Sequence, residues 1–459
     1  MKNRIVMAAV ASLCGAFACA ETVERDVVIY GSTPAAITAA IEAQKMGRTA
    51  VIVSPETRIG GMTTGGLGAT DVGSRAAYGG LSLKFYRDIR TYYRDVKNWK
   101  WEKPLDYAQR SYTFRQDMDD AMWFFSPSAA LAVLESWEKE HKLDIRRGEW
   151  LDRAKGKVKV EGEGEQRRIV SLVTLSGNVY RGKVFLDTTY EGDLMAAAGV
   201  SYFVGREDNS VYGETLSGYQ PTPRHGGHRL KSGIDPYRVK GDPKSGLLPG
   251  VLPHEAVKDR KVGSGDRNLQ AYNYRMCLTD VEANRIPFKK PAGYDEGLYE
   301  LLFRNYEAGQ KELPRNQAIM PDRKTDTNNH SGFSTDFIGQ NWNWPDASYA
   351  EREQMAQAHL AFQKGLLWTL ANHPRVPEKI RTEVARWGTC KDEFQDGQGD
   401  GWQYQLYVRE ARRMVSSYVM TEANCLKRAT APHPVALAAY QMDSHNVRRY
   451  VTARGDVQN

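Results

Sequence analysis

Two histidines stand in dense polar stretches, His330 in "TNNHSGFSTD" and His445 in "MDSHN". An imidazole takes up and returns protons near neutral pH, so each is a candidate catalytic base for a hydroxyl proton. Either can equally be a hydrogen-bonded structural histidine. His225 and His228, in "RHGGH", have no Cys or Glu at ligand spacing nearby, so they read as loop lining and no metal site is expected. A second kind of chemistry is written in "GGMTTGGLGATD", Gly60 to Asp71, with five glycines in nine residues. Glycine suits backbone that takes a positive φ or lies against something that leaves no room for a Cβ. Such a loop either cradles a ligand or forms a glycine-rich lid.

The elements that must position these residues begin at "DVVIYGSTPAAITAAIEAQKMGRTAVIVSPE". Val27–Tyr30 is a continuous apolar run, as in a parallel strand buried on both faces. Gly31 ends it, Pro34 fits the first turn of a helix, and Ala35, Ala36, Ile37, Ala39, Ala40 and Ala43 give that helix a face of small residues. Gly47 stops the helix, and Ala50–Val53 is a second strand. This βαβ unit aims a helix dipole and unpaired N–H groups at the Gly31 turn, an anion site. Against the dinucleotide pattern G-x-G-x-x-G, only Gly31 keeps its glycine; Thr33 and Ala36 hold the other two places. The place of the ribose-binding acid is held by Ser54, with Glu56 two residues on.

Further along, Ser128–Lys142 has a helical pattern and "LDIRRGEWL" suits a third strand. "GKVKVEG", "RRIVSLVTLSG" and "NVYRGKVFLDTTY" then read as a β-meander whose last strand returns to the sheet. Residues 205–270 are loop-rich, and 350–390 and 404–422 are expected to be helical. The fold class expected is α/β, a Rossmann-like domain with a parallel sheet and a meander, plus an inserted α+β domain.

The chain has 459 residues, 41% hydrophobic and 26% charged, an ordinary globular composition. Its net charge of +7, two units of which come from Lys2 and Arg4, gives no argument for a nucleic-acid partner. "MKNRIVMAAVASLCGAFACA" has the basic start, apolar middle and A-x-A-like end of a signal peptide, so export with cleavage after Ala20 is expected. Lipidation at Cys19 fits less well, with Ala16 where Leu is usual. No later run is long and apolar enough to span a bilayer. Cys277, Cys390 and Cys425 remain, too scattered for a disulfide framework or an iron–sulfur cluster. A single bridge, Cys390 to Cys425, is the pairing expected in an oxidising compartment.

"GGMTTGGLGATD", "FLDTTYEGDLMAAAGVSYFVGRE", "NLQAYNYRMCLT", "KTDTNNHSGFSTDFIG", "YVREARRMVSSYVMT" and "YQMDSHNVRRY", in this order, resemble the secreted FAD-dependent oxidoreductases, often labelled xanthan lyase-like or heterodisulfide-reductase-subunit-A-like. The likeness runs from about Asp26 to Tyr450. It implies FAD as cofactor, with the pyrophosphate at Gly31, Thr33, Pro34 and Ala35, and Ser54 near the ribose. It places Gly60, Gly61, Met62, Thr63, Thr64 and Gly65 along the dinucleotide. Asp187 and Thr188 match the strand end that closes over FAD, although Asp187 can also cap the following helix. Tyr190 stands where many relatives have Gly.

On a helix, Arg409, Arg412 and Arg413 would share neighbouring faces, with Arg412 toward the cofactor and the others in ion pairs. Tyr272, Asn273, Tyr274 and Arg275, with Asn329, are expected to wall a substrate pocket, where aromatic rings and amides suit sugars. The resemblance divides the chain into a signal peptide (1–20) and an FAD domain (21–204, with an aromatic-rich insertion at about 75–125). A substrate domain (205–400) and a return segment (401–459) follow. Relatives continue past this segment, so it is expected to be incomplete. The function implied is hydride transfer from a carbohydrate or related alcohol to flavin, and then to an electron acceptor that the sequence does not identify. A saccharide-binding homologue without flavin and a polysaccharide lyase are the alternatives.

Overall fold

The computed structural model describes residues 20–111, 120–221, 228–312 and 317–459. The signal-peptide expectation and His225 therefore fall outside the described residues.

A six-stranded sheet organises the first half of the chain. Its strands are β1 (Thr22–Tyr30), β2 (Ala50–Ser54), β3 (Ile145–Arg147), β4 (Val158–Glu161), β5 (Arg168–Val173) and β6 (Val179–Asp187), in the order β3-β2-β1-β6-β5-β4. The first four in space are parallel, and β6-β5-β4 form the antiparallel meander. Val28, Ile29 and Val51–Val53 are wholly buried because both faces of the sheet are covered. Burying each such side chain contributes about 1.5–3 kcal/mol. On one face pack α1 (Pro34–Lys45) and the helices Gly80–Tyr92 and Pro127–His141. The small-residue face of α1 lets it lie close to the sheet, with Ala36, Ile37, Ala40 and Ile41 buried. Tyr30 pairs with Val53 and with Asp187. The turns after β1, β2 and β6 therefore open on one edge of the sheet, where such folds bind ligands. The α/β fold with parallel sheet and meander is thus established.

The second half is less regular. A helix at Tyr349–Asn372 starts on a capping box, with Ser348 and Glu351 exchanging side-chain and backbone hydrogen bonds. It ends before Pro374, and a shorter helix, Glu378–Ala385, follows. No described helix is long and apolar enough to cross a membrane.

Two expectations are corrected here. Residues 404–422 form no long helix: Arg412–Met414 is a strand paired with Tyr202–Val204, and Tyr407 bridges to Asn273. Three guanidiniums that a helix would crowd together go to different acids: Arg409 to Asp336, and from the strand Arg412 to Asp193 and Arg413 to Glu207. Cys390 lies not beside Cys425, which is exposed, but beside the buried Cys277.

Candidate functional site

At the open edge of the sheet lies a cavity of ≈ 230 Å³. Its floor comes from three turns: Gly31–Thr33 after β1, Pro55 and Glu56 after β2, and Thr189–Glu191 after β6, with Gly61 beside them. Its other wall comes from the second half, including Trp344, Tyr349 and Arg352 and the segment Tyr404–Leu406. The capping box that fixes the start of the long helix thereby fixes Arg352 and Glu353 in its first turns.

The residues here fit a dinucleotide. α1 starts at the cavity without a side-chain cap, because the Thr33 hydroxyl is donated instead to the Thr188 carbonyl at 2.8 Å. The first N–H groups of a helix are suited to a diphosphate. Gly31 has φ +107°, and a Cβ there would come 2.7 Å from the Thr188 hydroxyl. Gly60 and Gly61 also hold positive φ, +94° and +48°. The Tyr190 hydroxyl lies against Gly61 and accepts the Met62 N–H at 2.8 Å. Tyr190 thus narrows the cavity. Tyr404 lines the cavity with a buried hydroxyl, and burial pushes its pKa up.

Glu56, not Ser54, presents a polar group to the cavity. The Ser54 side chain is fully buried and its hydroxyl is taken up by the Glu56 carbonyl at 2.7 Å. Burial, with the charges of Glu191 and Glu353 added, pushes the Glu56 carboxyl up to about 7. Glu191 is raised too, chiefly by burial. A carboxyl in this place can accept hydrogen bonds from ribose hydroxyls. Asp193 behaves oppositely. Burial works against its charge, but Arg352, Arg153 and Arg412 outweigh that and hold it below the usual carboxylate range. Arg412 is therefore an ion-pair partner of Asp193 at 2.8 Å and does not line the cavity.

Other expected cofactor residues have internal roles. Asp187 accepts from the Thr189 N–H at 3.0 Å and the Met195 N–H at 3.1 Å, capping the Asp193–Ala197 turn of helix. Thr188 donates to the Tyr30 carbonyl at 2.9 Å. Thr64 donates to the Ile59 carbonyl at 2.6 Å and closes the short Gly61–Thr64 helix that also contains Thr63. Pro34 and Ala35 form the first turn of α1, and Gly65 packs against Gln405.

From the cavity, the chain at Gln405–Arg409 leads to a second polar centre. Its middle is Asp336, which is buried. One carboxylate oxygen accepts from Asn273 Nδ2 at 3.0 Å and pairs with Arg409 at 3.5 Å. The other meets His445 Nδ1 at 2.7 Å. The His445 backbone N–H is donated to Gln270 at 2.7 Å, and its Nε2 lies 3.5 Å from the exposed Asp443. Burial alone would lower the His445 pKa, but Asp336 and Asp443 overcome it and raise it above 6.5. His228, 6.0 Å away ring to ring, is lowered by its burial. Asn329 bonds His228 Nδ1 at 3.1 Å. His330 stands further out, 3.7 Å from Glu312. Of the two candidate histidines, His445 is the one set into a fixed carboxylate.

The expected substrate wall divides by residue. In the extended stretch at 271–276, Asn273 and Arg275 face the polar centre; Arg275 pairs with the buried Asp326 at 2.6 Å. Tyr272 and Tyr274 point the other way and are wholly buried in a hydrophobic cluster, with no ring face left for a sugar. The period of two decides this. Glu56, Tyr190, Tyr404 and Asp336 were not among the expected site residues. The carboxyl two residues beyond Ser54 was the one signal that could have found Glu56.

Among curated proteins no match is found. Solved structures give only distant and partial likeness. A flavin monooxygenase variant from Stenotrophomonas maltophilia is 16% identical over 36% of this chain and 38% of its own, with a TM-score of 0.21. A cyclohexanone monooxygenase variant from Rhodococcus sp. Phi1 is 17% identical over 36% of this chain and 26% of its own, with a TM-score of 0.23. A 3-ketosteroid dehydrogenase from Rhodococcus jostii RHA1 is 16% identical over 38% of this chain and 48% of its own, with a TM-score of 0.22. The chain thus spans less than half the length of these three structures, and at such scores they carry no argument. The match to the family described as FAD dependent oxidoreductase is of another order, covering residues 26–459. With a cavity that fits a dinucleotide and a match over nearly its whole length, the chain belongs to the FAD-dependent oxidoreductase family, and FAD is its cofactor.

Proposed function

We propose that this chain is an exported oxidoreductase that oxidises a hydroxyl of a carbohydrate or related alcohol. The observation that carries this reading is the buried His445–Asp336 pair at 2.7 Å. Bound FAD would supply the hydride acceptor. The N–H groups at the start of α1, the Gly60–Gly61 backbone and Glu56 would hold it. Asp336, fixed by Asn273 and Arg409, takes the hydrogen bond of His445 Nδ1, so that Nε2, 3.5 Å from the exposed Asp443, is the nitrogen that would take up a proton. Nε2 then accepts the substrate hydroxyl proton, with Asp336 balancing the imidazolium. Asn328, Asn329 and Asn446 lie around this centre, and their amides suit a polyhydroxylated substrate. In this reading residues 21–204 bind FAD, 205–400 shape the substrate side, and 401–459 return to both. In this reading the chain sits among the secreted, xanthan lyase-like or heterodisulfide-reductase-subunit-A-like members of its family.

The test is anaerobic mixing of the FAD-loaded protein with a panel of sugars and sugar alcohols. Bleaching of the flavin by one of them is expected. A panel without any bleaching, with unsaturated products from a polysaccharide, would favour a lyase. Sugar binding without either outcome would favour a binding protein.

A further inference from the structure

Cys277 and Cys390 take no part in the cavity or the His445 centre. The strands Leu278–Thr279 and Gly388–Cys390 are antiparallel neighbours, with Leu278 opposite Thr389 and Thr279 opposite Gly388. Continuing that register puts Cys390 across from Cys277. Their Sγ atoms are 3.9 Å apart, and the Cys390 thiol turns to the Cys277 carbonyl at 3.5 Å. Both side chains are buried beside Met320 and Phe394. Facing residues on antiparallel strands have Cα atoms about 4.5–5.5 Å apart, inside the roughly 4.4–6.8 Å that a disulfide spans. Closing the bond therefore asks for side-chain rotation and no new backbone path.

We propose that Cys277 and Cys390 are an oxidation site, a dithiol that closes to an intramolecular disulfide. One thiolate attacks the S–S bond of a disulfide oxidant, either a small molecule or a thiol oxidase, forming a mixed disulfide and releasing one carrier thiol. The second cysteine then displaces the other carrier thiol and forms the Cys277–Cys390 bond. Two protein thiols lose two protons and two electrons, and the oxidant's S–S bond becomes two thiols. The buried Lys324, held by Glu393 at 2.6 Å and Asp392 at 3.1 Å, places a positive charge near the thiols. Burial nevertheless pushes the Cys277 thiol well up, so exchange in the folded chain is slow and needs a catalyst. The bond would tie the segment bearing Asn273 and Arg275 to the one that leads into Gln398 and Tyr404–Leu406. A segment of the Asp336 centre is thereby stapled to one that lines the cofactor cavity.

The experiment uses the full-length protein, equilibrated with protein disulfide isomerase in glutathione buffers running from reduced to oxidised. Samples are quenched in acid, alkylated in denaturant and mapped by peptide mass. Cys277 and Cys390 peptides should join at the oxidised end, and the thermal midpoint should rise with the bond. In Cys277→Ala, or in Cys390→Ser should the first not fold, both the cross-link and the redox dependence of the midpoint should vanish. Alkylation of both residues throughout the oxidised range, or a bond from Cys390 to Cys425, would overturn the proposal.

Discussion

The cofactor cavity and the Asp336 centre are built from different materials. The cavity rests on three turns at one edge of a sheet, with glycines at positive φ and a helix start without a side-chain cap, and side chains such as Trp344 and Tyr349 close it. The Asp336 centre is side chain throughout, drawn from Asn273, Arg409 and His445 in segments far apart in sequence. Their electrostatics differ as well. Glu56 and Glu191 both line the cavity, and burial makes both hold protons more tightly than usual, with Arg352 only partly offsetting it at Glu191. Burial also opposes ionisation of Asp336, yet His445 and Arg409 keep it charged. A holder resting on close-packed turns is damaged by steric change, and a side-chain-built centre by chemical change. Substitutions should therefore separate cofactor loss from loss of chemistry.

The largest effect on binding is expected at Gly61. Gly61→Val places a β-branched residue at φ +48°, with its Cβ against the Tyr190 hydroxyl and 3.2 Å from Thr33. Flavin content per protein should fall at least tenfold while circular dichroism stays close to wild type. A folded variant with full flavin would show that this loop does not hold the cofactor. The converse is His445→Gln, which keeps shape but removes the base. It should retain flavin and lose about 10²–10⁴-fold in the rate of substrate-driven flavin reduction.

A smaller effect concerns pH. The Glu56 carboxyl, at about 7 in the folded protein without ligand, is protonated where an unfolded glutamate, near 4.5, is not. Its contribution to stability is therefore lost as pH rises from about 4.5 to 7. Ribose hydroxyls favour the ionised form, so FAD binding should release a proton and tighten as pH rises through that window. Titration calorimetry in buffers of different ionisation enthalpy would measure the proton count. Glu56→Gln should bind more weakly and without this pH dependence; an unchanged proton release would remove Glu56 from the site.

The same contrast explains what could be read in the chain beforehand. β1, α1 and β2 are consecutive, and their apolar run, alanine face and glycine stops are local signals, so the parallel sheet and meander were legible. Glu56 escaped because the pattern put weight on Ser54, whose hydroxyl is closed into its own turn. The second centre was legible only as fragments. His445 and Asn273 could be singled out, but nothing local joins them to Asp336, since 63 residues separate Asn273 from it and 109 separate His445. Tyr272 and Tyr274 were drawn into the expected wall by their residue type, whereas alternation in an extended segment buries them. The segment at 404–422 shows the same limit: its arginines have helical spacing, and long-range acids override it.

The central claim is that Asp336 sets the basicity of His445. The most direct measurement is the pH dependence of anaerobic flavin reduction by saturating substrate, in the wild type and in Asp336→Asn. His445 is held above 6.5, and it serves as a base only when deprotonated, so the wild-type rate should rise with pH along a limb above that value. Loss of the Asp336 charge should move this limb to lower pH and reduce the plateau rate, with flavin content unchanged. A limb and plateau identical in the two proteins would contradict the account.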